Sequence, residues 1–246
     1  MSVPISAGPV PPDLLVDLAA ANRILVAQGV FDAAGHVSMR HPSARERFIM
    51  SRAMAPALVR STDLIELDLD GVACAADGRQ AFIERFIHAE IYKARPDVMA
   101  VAHSHSASVI PFGLTGVPLR AMYHNAAFLA AGVPVFDIRE KFGTTSIVID
   151  SPQKGAALAA TLADKAAALL RAHGMVTVGP SLQAAVFRAV FTESSARIQQ
   201  QAMAHGAAIA ALEPEEGRLA DAVNLATHGR AWDLWKQQAM AADSNI

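Results

Sequence analysis

Three histidines and one glutamate in this chain have types and spacing that suit metal-assisted acid–base chemistry. His103 and His105 flank Ser104 at the end of the apolar run VMAVAHSH. In a β-strand, side chains two residues apart share a face. Two imidazoles placed that way can hold one divalent ion at about 2.0–2.1 Å from each nitrogen. Taken alone, the pair reads more readily as strand-end caps hydrogen-bonded to a loop than as a metal site. His173 adds a third imidazole, in a tight turn between the apolar runs 168–171 and 175–178, where Gly174 supplies backbone freedom. A histidine at one strand's end can converge on another strand's end, and three histidine ligands leave coordination positions open for substrate. Without the other two, His173 reads as a solvent-exposed turn residue. Glu84 is the fourth group, near the start of a helix predicted over 82–95 that runs directly into the histidine strand. There it can act as general acid or base, serve as a ligand, or simply complement the helix dipole.

Convergence of these groups needs a sheet whose strand ends meet. Leu14, Leu15, Leu18, Ile24, Leu25 and Val26 recur at helical spacing, predicting a helix over 13–29. GHVSMRHP reads as a Gly-led turn or short strand, RFIMS and DLIELDLDG as strands, and the stretch between those two as loop or short helix. Phe82, Phe86 and Ala89 share a face of the 82–95 helix, which Pro96 ends. Short strands are predicted at 117–119 and 133–136, around a partly helical RAMYHNAAFLAAG, and another at SIVID. An Ala-rich helix follows over 152–163, then the strand pair around His173. A long helix is predicted over 181–204, with Ser181 as N-cap and Gly206 as stop. One more amphipathic helix is expected around Trp232 and Trp235 in a C-terminal extension, 213–246, and residues 1–12 read as a loose segment. Helices interleaved with hairpin-spaced strands predict an α/β fold, a mixed sheet covered by helices.

Composition narrows the function classes. At 246 residues with 52% hydrophobic and 18% charged, one globular domain over 1–246 is expected rather than a disordered chain. Basic and acidic residues number 21 and 23, with no Lys/Arg block, so nucleic acid is not an expected partner. The long charge-free stretch 98–119 carries His103, His105, Pro111 and two glycines, which argues against a membrane span. The single cysteine, Cys74, cannot form an internal disulfide, and the first residues lack the basic and apolar regions of a secretory signal. A cytoplasmic protein is expected.

The order Glu84, His103-Ser104-His105, His173-Gly174 resembles the class II aldolase/adducin family over about residues 21–204. That resemblance implies an α/β/α architecture with a mostly antiparallel central sheet covered by helices. It implies a divalent metal on His103, His105 and His173, commonly zinc, with manganese, cobalt or iron also accepted by such ligands. It further implies an acid/base role for Glu84 and a homotetramer with sites between neighbouring subunits. Adducin-like members lack the ligands; here all three histidines are present, which favours an enzyme.

Where this chain departs from the family pattern, it points to a substrate. Sugar-phosphate members cradle the phosphate with a G-N-x-S turn, a T-G pair and two serines before the glutamate. This chain has Gly35-His36-Val37-Ser38, Ser51-Arg52, and Phe82-Ile83. Two apolar side chains cannot replace two hydroxyl donors to a buried dianion. His36, Ser38, Ser51 and Arg52 are instead the candidate substrate-binding residues. Arg52 suits a carboxylate bidentately and His36 can add a hydrogen bond, although Arg52 alone reads as a surface residue. Family enzymes wall the pocket with the stretch that here holds Tyr123 and His124, either of which can move a proton or simply pack in the core.

GHVSMRHP, SRAMAPALV, ERFIHAEIY and VPLRAMYH together resemble a sub-branch of decarboxylases acting on 2-hydroxy-3-carboxymuconic semialdehyde-type or dihydroxyphthalate-type acids. Decarboxylation and retro-aldol cleavage both leave electrons on an oxygen-stabilised carbanion, an enolate or phenolate that a metal stabilises. The expected function is therefore a metal-dependent carboxy-lyase for a hydroxylated aromatic or ring-cleavage di-acid. The alternatives are an aldolase for a non-phosphorylated hydroxy-keto acid and a non-catalytic adducin-like interaction protein. His41, His205 and His228 read as loop or helix-end residues, and His88, one turn after Glu84, either orients it or is a satisfied helix histidine.

Overall fold

The computed structural model describes residues 3–74 and 77–241. The chain opens with α1 (Pro12–Ala27), whose buried Leu18, Ile24 and Leu25 face the sheet. An antiparallel meander follows: β1 (His36–Arg40), β2 (Arg47–Ser51) and β3 (Leu64–Asp68). Two single-turn 3₁₀ segments, Pro56–Leu58 and Ser61–Asp63, fill the connection between β2 and β3. Next come α2 (Arg85–Ala94), β4 (Ala100–Ser104) and the one-turn α3 (Phe112–Thr115). After a 3₁₀ stretch at His124–Ala131 lie β5 (Val135–Phe136) and α4 (Arg139–Phe142). The rest is α5 (Pro152–Leu162), β6 (Ala167–Leu170), β7 (Gly174–Gly179), α6 (Leu182–Ala204), α7 (Pro214–Thr227) and α8 (Gly229–Ala241).

Among the described residues the strands form one sheet in the order β3-β2-β1-β4-β7-β6-β5. Every neighbouring pair is antiparallel except β5 with β6. The alternation of side chains divides the core in two. Val37, Met39, Ala100, Ala102 and Met175 pack on one face with α1 and α6. Phe48, Met50, Val101, Val176 and Val178 pack on the other with α2 and α5. Side chains paired across strands point the same way, so His36 and its partner His103 both face the α2 side.

Most predicted elements are present, with informative differences. Helix α2 starts at Arg85, so Phe82 and Ile83 precede it and Glu84 sits at its N-cap. Residues 117–119 and SIVID are not strands. Ile147 in the latter has φ 59°, a left-handed conformation that a β-branched residue adopts only under local constraint. The C-terminal region forms two helices, α7 and α8, because Glu213 and Glu216 build a capping box and start a helix well before Trp232. The described part of the expected loose segment is held: Ser6 Oγ and the Ala7 amide donate to Glu66 at 2.5 and 2.8 Å. Both the 1–12 and the 213–246 expectations extend over residues 1–2 and 242–246, which lie outside the described residues. No described helix is long and apolar enough to cross a membrane.

Gly174 is required for a reason other than φ. A Cβ there would run into the carbonyl oxygen of Ser104, so glycine lets β7 start hard against the end of β4. The left-handed turn residue is instead Ala172, at φ 55°. Close approach of these two strand ends is what brings His173 beside His103 and His105.

Candidate metal centre

β4 ends where β7 begins, and α2 starts above both. Glu84, His103, His105 and His173 therefore offer one ligand atom each, all within 4.8 Å of one another. Nε2 of His173 lies 3.2 Å from Nε2 of His105. Glu84 Oε2 is 3.6 Å from His103 Nε2 and 3.5 Å from His173 Nε2. Four ligands at about 2.0–2.1 Å from a tetrahedral ion would stand about 3.3 Å apart, so the spacing fits such an ion. His103 Nε2 is buried without a hydrogen-bond partner, a polar atom that folding would normally satisfy.

The other ring nitrogens explain why each Nε2 is available. His103 Nδ1 donates to the carbonyl of Met175 at 3.0 Å, and His173 Nδ1 to the carbonyl of Ile147 at 3.1 Å. His105 Nδ1 donates to Asp32 Oδ2 at 3.0 Å. Carbonyl and carboxylate oxygens only accept, so the proton sits on Nδ1 and each Nε2 keeps its lone pair. Burial, partly offset by Glu84, lowers the His103 pKa and keeps that ring neutral.

Glu84 is fixed through its second oxygen: the Ile149 amide donates to Oε1 at 2.9 Å. Its Oε2 faces Nε2 of both His103 and His173, lone pair to lone pair, an arrangement that is repulsive unless a cation lies between them. The constrained backbone at 147–149 thus supplies an acceptor to His173 and a donor to Glu84, which accounts for the unusual φ of Ile147 and for the missing strand.

Of the expected substrate-binding residues, His36 is buried beside the cluster. Its ring centroid lies 5.1 Å from that of His103 and 4.6 Å from Phe82. Ser38 is committed elsewhere: its Oγ bonds His88 Nδ1 at 2.7 Å and the Tyr92 hydroxyl at 2.8 Å. His88 Nε2 in turn bonds His36 Nδ1 at 2.7 Å. His88 is therefore the backing for His36, a satisfied helix histidine, rather than a partner of Glu84. Ser51 faces the α1 side, opposite His103, because its neighbour Met50 pairs with Ser38 on the α2 side. Its buried Oγ has no partner. Arg52 follows Ser51 at the end of β2; its Nε donates to Asp63 Oδ1 at 2.9 Å, and the side chain stays 40% exposed.

Tyr123 and His124 are not brought to the cluster within the chain. Tyr123 packs edge-on to Phe191 with a ring separation of 6.1 Å. His124 is exposed: its Nδ1 meets Asn125 Oδ1 at 3.2 Å, and its carbonyl accepts from Asn224 of α7 at 2.8 Å. Sequence reasoning missed Asp32, whose partner lies 73 residues along the chain. It also missed the backbone of 147–149, which has no side-chain signature.

The His36–His88 pair carries a pH prediction. Burial and the neighbouring His103 depress the His88 pKa to about 3. Burial, His88 and His103 lower His36 well below its ordinary value. A depressed histidine stays neutral in the fold and takes a proton on unfolding, so its contribution is complete above pH 6.5 and is lost as pH falls toward 3. Each such histidine removes about 1.4 kcal/mol per pH unit below 6.5. Denaturant unfolding at pH 7.5 and pH 5 is expected to differ by about 2 kcal/mol for His88 alone. Equal stabilities at the two pH values would show that these rings are not buried neutral.

A helix-covered, mostly antiparallel sheet with three histidines and a glutamate gathered at its strand ends defines the class. Residues 16–200 match the Class II Aldolase and Adducin N-terminal domain, and the chain belongs to this family. It is 34% identical over 238 residues to decarboxylase tropJ of Talaromyces stipitatus, covering 87% of this chain and 90% of that protein. It is 27% identical over 240 residues to 3,4-dihydroxyphthalate decarboxylase of Rhodococcus jostii, covering 92% and 95%. In fold it is similar to the L-fuculose 1-phosphate aldolase of Glaciozyma antarctica, with a TM-score of 0.77 at 24% identity over 95% of this chain and 91% of that one.

Proposed function

We propose that this protein is a divalent-metal-dependent carboxy-lyase for a hydroxylated aromatic or ring-cleavage keto/hydroxy di-acid. The observation that carries the reading is the cluster itself: three imidazoles with Nδ1 engaged and Nε2 free, two of them facing the carboxyl group of Glu84. The decarboxylases among its relatives support the reaction type. His103, His105 and His173 would hold a divalent ion, zinc by preference, which would supply Lewis acidity for the negative charge left when a carbon–carbon bond breaks.

The chain's own residues do the rest. Arg52, with one edge on Asp63, keeps other guanidinium N–H groups for a substrate carboxylate. His36 and Phe82 form an aromatic wall beside the cluster, with no hydroxyl donors for a phosphate. Glu84, pinned at Oε1, offers Oε2 to accept the proton of a substrate hydroxyl and return it to the carbon that has lost CO₂. His124 and Tyr123 would act only from a neighbouring copy, in a homotetramer whose sites lie between subunits.

Incubating the metal-loaded protein with candidate acids and measuring CO₂ against aldehyde or pyruvate tests the assignment. Release of pyruvate or aldehyde would favour the aldolase reading, and no turnover together with no metal uptake would favour an adducin-like interaction protein. Sugar phosphates such as L-fuculose 1-phosphate are expected to be poor substrates. Arg52→Ala is expected to raise KM for a carboxylated substrate by about 10- to 150-fold, the loss of one charge-assisted hydrogen bond of about 1.5–3 kcal/mol. Efficient turnover of the sugar phosphate would overturn the substrate assignment.

A further inference from the structure

Two of the three candidate ligands are oriented by backbone carbonyls, His103 by Met175 and His173 by Ile147. The third is not. His105 lies one residue beyond the end of β4, outside the ladder that holds His103, and its Nδ1 is held by a side chain, the carboxylate of Asp32. That carboxylate does a second job. Its Oδ1 accepts from the amides of Ala34 at 2.8 Å and Gly35 at 3.1 Å, closing the turn that delivers the chain into β1 at His36. Gly35 cannot carry a side chain here, since a Cβ would lie 2.6 Å from the ring of Phe31. The turn is therefore tight, and one carboxylate joins it to the metal ligand.

We propose that Asp32 is a positioning residue that selects the Nδ1–H tautomer of His105 and couples metal binding to the turn preceding His36. This rests on the reading of the cluster as a metal centre. The carboxylate is acceptor-only, so it stabilises the proton on Nδ1 and leaves Nε2 as a lone pair. A carboxylate behind a histidine ligand also makes the ring a stronger donor, and removing such a partner typically weakens metal binding about 10- to 100-fold. The two backbone-held histidines lack that anionic support. His105, like His173, lies outside the paired strand residues, but its Nδ1 has a side-chain acceptor where that of His173 has a backbone carbonyl, so its ring orientation depends on one side chain.

Asp32→Asn separates positioning from folding. If Asn keeps its oxygen on the Ala34 and Gly35 amides, its NH₂ group faces His105 Nδ1. An NH₂ group favours the opposite tautomer, with the proton on Nε2 and no lone pair toward the cluster. Zn²⁺ titration of the full chain by calorimetry against a competing chelator reads the affinity, and thermal melting of the metal-free proteins reads the fold. The NMR tautomer signal of His105 reads the proposed cause. The expected result is a 10-fold or greater loss of Zn²⁺ affinity in Asp32→Asn, with a wild-type melting temperature in the metal-free form and a shift of His105 toward Nε2–H. Asp32→Ala should lose affinity without that tautomer shift. Wild-type affinity within twofold in both variants would overturn the role of Asp32 while leaving the metal centre standing. Absence of saturable Zn²⁺ binding by the wild-type chain would overturn both.

Discussion

His105→Ala is expected to lose its metal and at least about 10³-fold in turnover while the fold persists. Lewis-acid stabilisation of a developing charge contributes several kcal/mol, and each 1.36 kcal/mol is a tenfold change in rate. His103→Ala and His173→Ala should lose as much activity, since two histidines seldom hold a catalytic ion. His105 is the cleanest probe because its side chain is 24% exposed, whereas that of His103 is completely buried and supports Met175. Elemental analysis of the purified variants, beside their melting curves and turnover, decides the matter. A triple variant retaining full metal content and wild-type turnover would show that the ion and the chemistry lie elsewhere.

Glu84→Gln is expected to cut turnover by at least about 10²-fold, the usual loss when a general acid–base is removed. The amide can still accept from Ile149 at Oε1, so the start of α2 should stay in place. The metal should stay as well, because three histidines remain. The kinetic signature is a fall in kcat with little change in KM, since the residue handles a proton rather than the substrate's anionic group. Wild-type turnover in Glu84→Gln, with His124→Ala inactive, would move proton transfer to a residue contributed by a neighbouring copy. Glu84 would then be an N-cap carboxylate that complements the dipole of α2.

The parts of this molecule that were legible in the sequence are those set by local pattern. Helical periodicity located α1, cap and stop residues located α6, and strand composition with turn signals located β2, β3 and the β6–β7 pair, while β1 read as either a turn or a short strand. The two-residue spacing of His103 and His105, followed at a distance by His173-Gly174, marked the cluster. Its departures from the sugar-phosphate pattern were visible because they change residue type at Phe82, Ile83 and Arg52. What stayed hidden was what depends on pairing across the chain. Ser38 looked available to a substrate until the register of β1 against α2 placed it between His88 and Tyr92. Ser51 looked like its neighbour Arg52, although one residue along a strand changes the face it occupies. SIVID has strand composition, but the demands of Glu84 and His173 on its backbone override that preference.

Because the 147–149 segment serves the cluster through a carbonyl and an amide, the chemistry there is written in chain length rather than in residue identity. The carbonyl of Ile147 and the amide of Ile149 do not depend on side-chain identity, so exchanges that keep the buried apolar packing of Ile149 would leave both groups in place. An insertion or deletion of a single residue between Ile147 and Ile149 would move the acceptor of His173 and the donor to Glu84 out of step with each other. The segment would thus accept a change of apolar residue more readily than a change of count, acting as a fixed spacer beside the cluster.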